Sequence, residues 1–199
     1  MKLEVGHDDR YNVLYRHGGE VFFRSRENGF HMGDTLLSVK WNLLDPLSQS
    51  FGLAARGGLE LPTGNEESGF GSGRLDGTVG LLGQKLFTPS FAGYAGLDHV
   101  FRKSPTSFRG IGAAHVTHAH LSFEKVFSET LSATLQSDYQ TQPLDGGKIQ
   151  EYDRPEWSLS FGVGFRMGEG VGLRVFFVED LITHTTPDFV AGMSLSLAF

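Results

Sequence analysis

The fold is decided by residues 157–180, which read WSLSFGVGFRMGEGVGLRVFFVED. In residues 157–167, large apolar side chains alternate without a break with small or polar ones. Because successive residues of a β-strand point to opposite faces, this segment predicts a strand with one oily face and one polar face. The oily face carries Trp157, Leu159, Phe161, Val163, Phe165 and Met167. A glycine turn, GEG, then leads into a second alternating run, so the whole stretch predicts a β-hairpin.

The same alternation recurs from Thr35 onward and predicts nine strands in all. They span residues 35–44, 51–61, 75–86, 91–101, 111–127, 130–141, 157–167, 171–179 and 189–199. The first thirty residues predict one more strand around EVFFRSR, with YNVLYR competing for the same role. About ten strands are therefore visible, and an even total is expected of a bacterial membrane barrel. Since composition does not change along the chain, residues 1–199 are predicted to form a single outer-membrane β-barrel domain.

The composition also favours many strands joined by turns. The chain has 27 Gly and 17 Phe among 199 residues, and only 20% of its residues are charged. The absence of cysteine from the sequence excludes disulfides, thiolate metal sites and cysteine nucleophiles. A formal net charge of −6 without a concentrated basic patch argues against a nucleic-acid partner.

The sequence predicts neither a transmembrane helix nor a leader peptide. It has no run of about 18 apolar residues, which is the length that a membrane helix needs. The first residues, MKLEVGHDDRYN, lack the continuous apolar core of a signal peptide. If the protein is exported, we expect this chain to be a mature form or one that has lost its beginning.

The connections between the predicted strands are alternately short and long. The short ones are DPLSQS, TPS, SE and GEG, and the long ones are PTGNEESGFGSGR, RKSPTSFRG, TQPLDGGKIQEYDRPE and DLITHTTPD. Bacterial outer-membrane barrels have short periplasmic turns and long external loops, and all nine strands fit this rule with the C-terminus on the periplasmic side. Aromatic residues then form two interfacial belts. The periplasmic belt contains Trp41, Phe87, Phe91, Phe127 and Phe199, and the outer belt contains Phe101, Tyr139, Tyr152 and Trp157.

We therefore predict an all-β fold, an antiparallel up-and-down transmembrane β-barrel of the bacterial outer membrane. The alternative is a soluble barrel or sandwich whose oily face points into a core. Strands of such proteins are typically about five or six residues long. Many strands here reach the roughly nine to eleven residues that a tilted strand needs to cross a bilayer, which favours the membrane barrel.

If the oily face meets lipid, the opposite face lines the lumen and carries charges of both signs. These lumen and selectivity candidates are Lys40, Arg56, Glu60, Asp76, Asp98, Glu124, Asp138, Arg166 and Arg174. Charges at this depth must pair with one another or contact water. We favour an ion-pair network that fills a narrow barrel, because eight to ten strands enclose about as much space as their side chains occupy. A constriction that selects a solute is the functional alternative.

Two other kinds of site are weaker predictions. His118 and His120 share a strand face and, with Glu124, are weak candidates for a metal site, but no third ligand is fixed by the sequence, so we predict no metal and no cofactor. A hydrolase would need an acid–base pair such as His184 with Asp180 and Asp188, or His99 with Asp98. Neither pair repeats a known catalytic motif, so we predict no enzyme. GFGSGR lacks the lysine and helix of a phosphate loop.

Several stretches resemble a known family. GDTLLSVKW, LAARGGLELPTGN and GSGRLDGTVGLLGQK are similar to segments of outer-membrane barrels related to the meta-pathway of phenol degradation proteins, and FFVEDLITHTTPDFVAGMSLSLAF resembles the closing hairpin of an uncharacterised sister family. The resemblance covers Gly33 to Phe199. It implies a twelve-stranded barrel with a signal peptide and a longer N-terminal region, so we expect an N-terminally shortened copy. The ending also resembles the signal read by the barrel-assembly machinery, with Met193, Leu195, Leu197 and Phe199 as its residues.

From these features we predict a porin-like passive channel or uptake path in the Gram-negative envelope. The pore activity and a small hydrophobic or aromatic solute are implied by the family resemblance alone. The expected partners are the lipid of the outer membrane, the barrel-assembly machinery and a small-molecule solute. The alternatives are a structural or surface-interaction barrel with a plugged lumen, and an outer-membrane hydrolase.

Overall fold

The computed structural model describes most of the chain, and the described residues form only strands and their connections. The described residues are the N-terminal strands at 4–8, 11–17 and 20–25, and the ranges 32–45, 50–65, 71–104, 112–145, 154–168, 170–182 and 189–197. Within these ranges, no helix has the length and apolar character needed to cross a membrane.

Nine long strands form one antiparallel sheet. They are β4 (Thr35–Leu44), β5 (Phe51–Leu61), β6 (Asp76–Thr88), β7 (Phe91–Phe101), β9 (Val116–Val126), β10 (Leu131–Gln140), β12 (Glu156–Arg166), β13 (Val171–Asp180) and β14 (Phe189–Leu197). Each pairs with the next of these strands along the chain, so the sheet is a simple up-and-down meander. The all-β, antiparallel prediction is confirmed, and the strand bounds agree with those predicted to within two residues, except that the predicted strand 111–127 is two strands in the structure, β8 (Gly112–Ala113) and β9 (Val116–Val126).

The remaining strands lie in two small sheets. The first contains β1 (Glu4–Asp8), β2 (Tyr11–His17) and β3 (Glu20–Ser25), in that order. The second pairs β8 (Gly112–Ala113) with β11 (Leu144–Asp145), in the long connections before β9 and after β10.

The prediction of one N-terminal strand was wrong, because the described residues before Met32 form three strands. EVFFRSR and YNVLYR do not compete for one role. They form β3 and β2 and pair with each other, with Tyr15 opposite Phe23. The described part of the large sheet therefore has nine strands instead of ten, with β4 and β14 at its edges.

The two faces of the large sheet have the reverse of the usual distribution of side chains. Large apolar residues are exposed, among them Val39, Leu97 and Met193. Among the described side chains, the most sheltered include the acidic residues Asp98, 2% exposed, and Asp76, 4% exposed. The buried hydrophobic residues are Ala54, Ala92 and Val116, and no large described side chain is fully buried. The apolar face is thus not covered by any described element.

The two ends of the sheet differ in their connections. Residues 45–50, 89–90, 127–130 and 167–170 make short connections at one end, and residues 62–75, 102–115, 141–155 and 181–188 make long ones at the other. We call these the short-connection end and the long-connection end.

Both ends carry clusters of aromatic side chains. Near the short-connection end, the ring of Phe91 stacks on Phe87 at 5.3 Å and on Phe123 at 6.0 Å. Towards the long-connection end, Trp157 lies opposite Tyr139 and donates its indole N–H to the Ser137 hydroxyl at 2.7 Å. Of the predicted belt residues, Tyr152 and Phe199 lie outside the described residues.

Candidate functional site

Three segments of the chain meet at the carboxylate of Asp34, immediately before β4. Its Oδ1 accepts a hydrogen bond from the backbone N–H of Gly64 at 2.8 Å, and its Oδ2 accepts one from the backbone N–H of Ser72 at 2.7 Å. Gly71 must lack a side chain, because a Cβ there would lie 2.6 Å from Oδ1 of Asp34. We call Asp34, Gly64 and Ser72 the Asp34 clasp. It ties the start of β4 to both ends of the β5–β6 connection.

The clasp also determines the charge of its central residue. Partial burial tends to raise the pKa of Asp34, since desolvation disfavours the charged form. Hydrogen bonds from the backbone of Ser72 and Gly64, and from the Ser72 hydroxyl, more than offset this and lower the pKa below its ordinary value of 3.8. Asp34 is therefore a carboxylate at neutral pH, in the form that the two backbone N–H groups require.

A second acidic residue organises the next long connection. Asp76 begins β6 and accepts a hydrogen bond from the backbone N–H of Lys103 at 3.0 Å. The guanidinium Nε of Arg102 lies 3.9 Å from its other oxygen. Glu60 faces Asp76 across the β5–β6 ladder, so two of the predicted lumen acids lie side by side at the long-connection end.

The middle of the polar face holds a group of charged and polar side chains from β5, β7, β9 and β10. We call it the central polar cluster, and it comprises Arg56, Asp98, His118, His120, Gln136 and Asp138. At one side of it, the Arg56 guanidinium donates through two nitrogens to both oxygens of Asp98. This fork geometry is the strongest form of a carboxylate–arginine contact.

The pair can form because of a glycine between its two strands. Gly80 on β6 lies opposite both Arg56 and Asp98, and a Cβ at this position would overlap the Asp98 carboxylate. Since glycine has no side chain, Arg56 can reach across the intervening strand to Asp98. The contact thus depends on the β5–β6–β7 register as well as on the two charged residues.

His118 lies between two carboxylates at the centre of the cluster. Its Nδ1 is 3.8 Å from Asp98 Oδ2, and its Nε2 is 3.3 Å from Asp138 Oδ1. Gln136 donates its amide to both oxygens of Asp138, at 3.0 and 2.8 Å. The ring of His120 lies 5.7 Å from that of His118, centroid to centroid.

The structure groups the predicted metal candidates differently from the sequence. One potential ligand atom from each of Asp98, His118 and His120 lies within 4.8 Å of the others. Glu124 lies outside this group. It is four residues from His120 along β9, and four strand residues span about 13 Å. It accepts a hydrogen bond from the Tyr94 hydroxyl at 3.2 Å.

The remaining predicted lumen residues lie nearer the edges of the polar face. Lys40 faces Arg56 across the β4–β5 ladder and is exposed. Arg166 and Arg174 line a groove of about 600 Å³ at the short-connection end, together with Glu124. These positions make the polar face charged along its whole length, with its tightest contacts at the centre.

The predicted acid–base pairs are not assembled among the described residues. Asp98 and His99 are adjacent on β7 and point to opposite faces, so Asp98 joins the central polar cluster while His99 Nδ1 lies 3.0 Å from the Thr117 hydroxyl. His184 and Asp188 lie outside the described residues, so the second pair stays a prediction.

Sequence reasoning missed two parts of the site. The first is the Asp34 clasp, whose residues are in three separate stretches that carried the family resemblance. The second is the role of the polar-face glycines, Gly80 and Gly96, each of which lies under a bulky polar side chain. A glycine at a polar position of an otherwise regular strand is the signal that could have found them.

Comparison with known families accounts for these motifs. The family described as putative MetA-pathway of phenol degradation matches residues 4–199. The chain belongs to this family. The predicted relationship is confirmed, and the match to the phenol-degradation family also includes β1–β3, which the resemblance read from the sequence did not cover. No curated protein matches the chain.

Proposed function

We propose that this member of the phenol-degradation family is an outer-membrane β-barrel that conducts small molecules through its polar interior. The observation that carries the proposal is the reversed distribution of side chains, with Leu97 55% exposed and Asp98, its neighbour on β7, 2% exposed. In water this arrangement would expose a large apolar surface to solvent, whereas in a bilayer the same surface would contact hydrocarbon.

The strand lengths support a membrane location. The nine strands of the large sheet contain between 9 and 13 residues, from β14 to β6. A tilted strand of about 9–11 residues crosses the hydrocarbon core. The aromatic side chains near the two ends then lie at the two membrane interfaces, where aromatic residues are enriched.

The edges of the sheet indicate how the barrel would close. The outer edges of β4 and β14 have backbone N–H and C=O groups without a partner strand in the sheet. In the hydrocarbon core of a bilayer, each unsatisfied group of this kind would cost several kcal/mol. We assign the missing pairings to β1–β3, since nine strands and three strands give twelve, and we infer that these strands of five to seven residues lengthen when they pair with the sheet edges. That number is even, as bacterial barrels require. It also equals the strand count that the family resemblance implies.

The solute class follows from the family description and the lumen. The family is described by a pathway of phenol degradation, so the solute class that we propose is small aromatic compounds. A polar interior with both Arg166 and Arg174 at the short-connection end would favour solutes with a hydroxyl or carboxylate group.

The central polar cluster supports a second candidate, a barrel with a plugged lumen. Arg56, Asp98, His118 and Asp138 make a chain of contacts over β5, β7, β9 and β10, which would narrow a closed lumen at mid-height. Such a protein would serve the envelope as a structural or surface-interaction barrel. An open channel and a plugged barrel would have the same number of strands. They differ in whether the contacts of the central polar cluster block the lumen.

Single-channel recording in planar bilayers tests the two candidates. We expect discrete conductance steps from the purified protein, and a larger step from Arg56→Ser with Asp98→Ser, which removes the central pair. Arg102→Ser serves as the matched control outside the cluster. Absence of current from both the parent and the double variant, in protein that has folded into the bilayer, would contradict transport. Current from the double variant alone would support the plugged barrel.

A further inference from the structure

We propose that Asp98, His118 and His120 form a binding site for one divalent transition-metal ion, of the class represented by Zn²⁺. Metal binding at this site is separate from the proposed transport function, because its three ligands lie on the paired strands β7 and β9 and do not require a closed barrel. Two imidazoles and one carboxylate are ligands that zinc, nickel and copper accept, whereas magnesium and calcium prefer sites made of oxygen alone. The three potential ligand atoms lie within 4.8 Å of one another.

The distance between Asp98 and His118 fits two ligands of one ion. Oδ2 of Asp98 and Nδ1 of His118 are 3.8 Å apart, which is too long for a hydrogen bond. Ligand atoms about 2.0–2.1 Å from a shared tetrahedral Zn²⁺ are separated by about 3.4 Å. A shift of a few tenths of an ångström would therefore bring the pair from its present spacing to that of a metal site.

The other nitrogen of His118 has the contact that metal-binding histidines use. Its Nε2 lies 3.3 Å from Asp138 Oδ1, and Gln136 donates to both oxygens of that carboxylate. When Nε2–H donates to Asp138, the neutral ring presents its Nδ1 lone pair toward Asp98. A carboxylate behind a ligating histidine fixes the ring orientation and raises its basicity. Asp138 is thus a positioning residue of the site.

A glycine places the third ligand beside the other two. Gly96 and Asp98 lie two residues apart on the same face of β7, and a Cβ at Gly96 would overlap the imidazole of His120. The His120 ring therefore lies over β7, next to the Asp98 carboxylate. His118 and His120 are also two residues apart on one strand face, so the backbone aligns both rings on the same side of the sheet.

The contact with Arg56 leaves room for an ion at Asp98. A carboxylate has about four lone-pair positions, and a guanidinium fork occupies one on each oxygen. Within the central polar cluster, the carboxylates of Asp98 and Asp138 outnumber the single guanidinium of Arg56, so the groups in direct contact with His118 and its partner Asp98 have a formal charge of −1. Arg56 then acts as a support that holds the Asp98 carboxylate in place.

The test is titration of metal into folded, untagged protein in detergent micelles after treatment with a chelator. We expect Zn²⁺ to bind with a stoichiometry of one by calorimetry, and Co²⁺ to give visible absorption bands from the site. His118→Gln and His120→Gln should each weaken Zn²⁺ binding by at least tenfold. His99→Gln, a histidine on the opposite face, is the matched control and should bind like the parent.

Two further results complete the test. Asp138→Asn should weaken binding by about 10- to 100-fold and alter the Co²⁺ spectrum while leaving one ion bound, as expected of a positioning residue. Near-ultraviolet circular dichroism establishes that each variant is folded. A parent protein without saturable binding, or equal affinity in His118→Gln, His120→Gln and the control, would overturn the proposal. These measurements do not depend on conductance, so failure of transport and failure of metal binding are distinguishable.

Discussion

Replacing Leu97 with arginine tests whether the apolar face meets lipid. Leu97 lies near the centre of β7 on that face and is 55% exposed. If the exposed part contacts hydrocarbon, a charge there should destabilise the folded protein. If it contacts water, arginine should be tolerated, because surface substitutions usually change the free energy of unfolding by about 0.5 kcal/mol or less.

The expected effect depends on depth in the membrane. Arginine on the lipid face of a barrel costs about 2–4 kcal/mol at the bilayer midplane and about 0–1 kcal/mol near the interfaces. Phe101 lies on the same face of β7, four residues and about 13 Å further along the strand. At a strand tilt of about 40°, this is about 10 Å along the membrane normal. Leu97→Arg should therefore lower the folding equilibrium constant by roughly 30- to 700-fold, and Phe101→Arg by roughly fivefold or less.

Guanidinium unfolding from phospholipid vesicles measures this difference. Fluorescence of the two tryptophans reports unfolding, and neither Leu97→Arg nor Phe101→Arg changes them. We expect a lower midpoint for Leu97→Arg and a midpoint close to the parent for Phe101→Arg. Equal midpoints for all three proteins, together with a parent that stays monomeric without detergent, would refute a lipid-facing sheet.

Five other substitutions test the polar face and the clasp by the same unfolding measurement. Asp34→Ala should cost about 1–3 kcal/mol, because two backbone N–H groups lose a charged acceptor. Because the folded-state pKa of Asp34 is lowered, its contribution should be complete above pH 3.8 and disappear as pH falls through the lower folded value. Gly80→Ala should cost about 1–3 kcal/mol by displacing Asp98, whereas Gly77→Ala, whose Cβ would have no atom closer than 4.0 Å, should cost less. Arg56→Met should cost about 1.5–3 kcal/mol, because Arg56 is 39% exposed and only Asp98 is fully desolvated, and adding Asp98→Leu should restore most of this loss. Equal costs for Gly80→Ala and Gly77→Ala, or for Arg56→Met and the double variant, would contradict these assignments.

Most strands could be predicted because alternation is a local property of the sequence. Residues 157–167 predict β12 to within one residue at each end, because large apolar residues alternate with small or polar ones at every position of the run. The three N-terminal strands were harder to predict. Connections of only two residues, DR and GG, separate their short runs, so the alternating pattern alone does not show where one strand ends and the next begins.

The candidate site could be predicted only in part, because its contacts depend on register between strands. Alternation places His118 and His120 on one face, but it does not say which β7 residue lies opposite them. The β7–β9 ladder brings Asp98 opposite His118 and excludes Glu124, which sequence spacing had suggested. The Asp34 clasp shows the same limit, since no local pattern indicates that Asp34, Gly64 and Ser72 meet.

The Asp34 clasp makes the positions of β5 and β6 independent of the sequence in the middle of the β5–β6 connection. Because one carboxylate holds both Gly64 and Ser72, the connection begins and ends at fixed points as long as Gly71 stays glycine, whatever sequence residues 66–70 carry. Each doubling of a loop's length costs only about 0.6 kcal/mol in closure entropy. A foreign epitope inserted between the two anchors could therefore be presented by the protein without altering the strands that carry it.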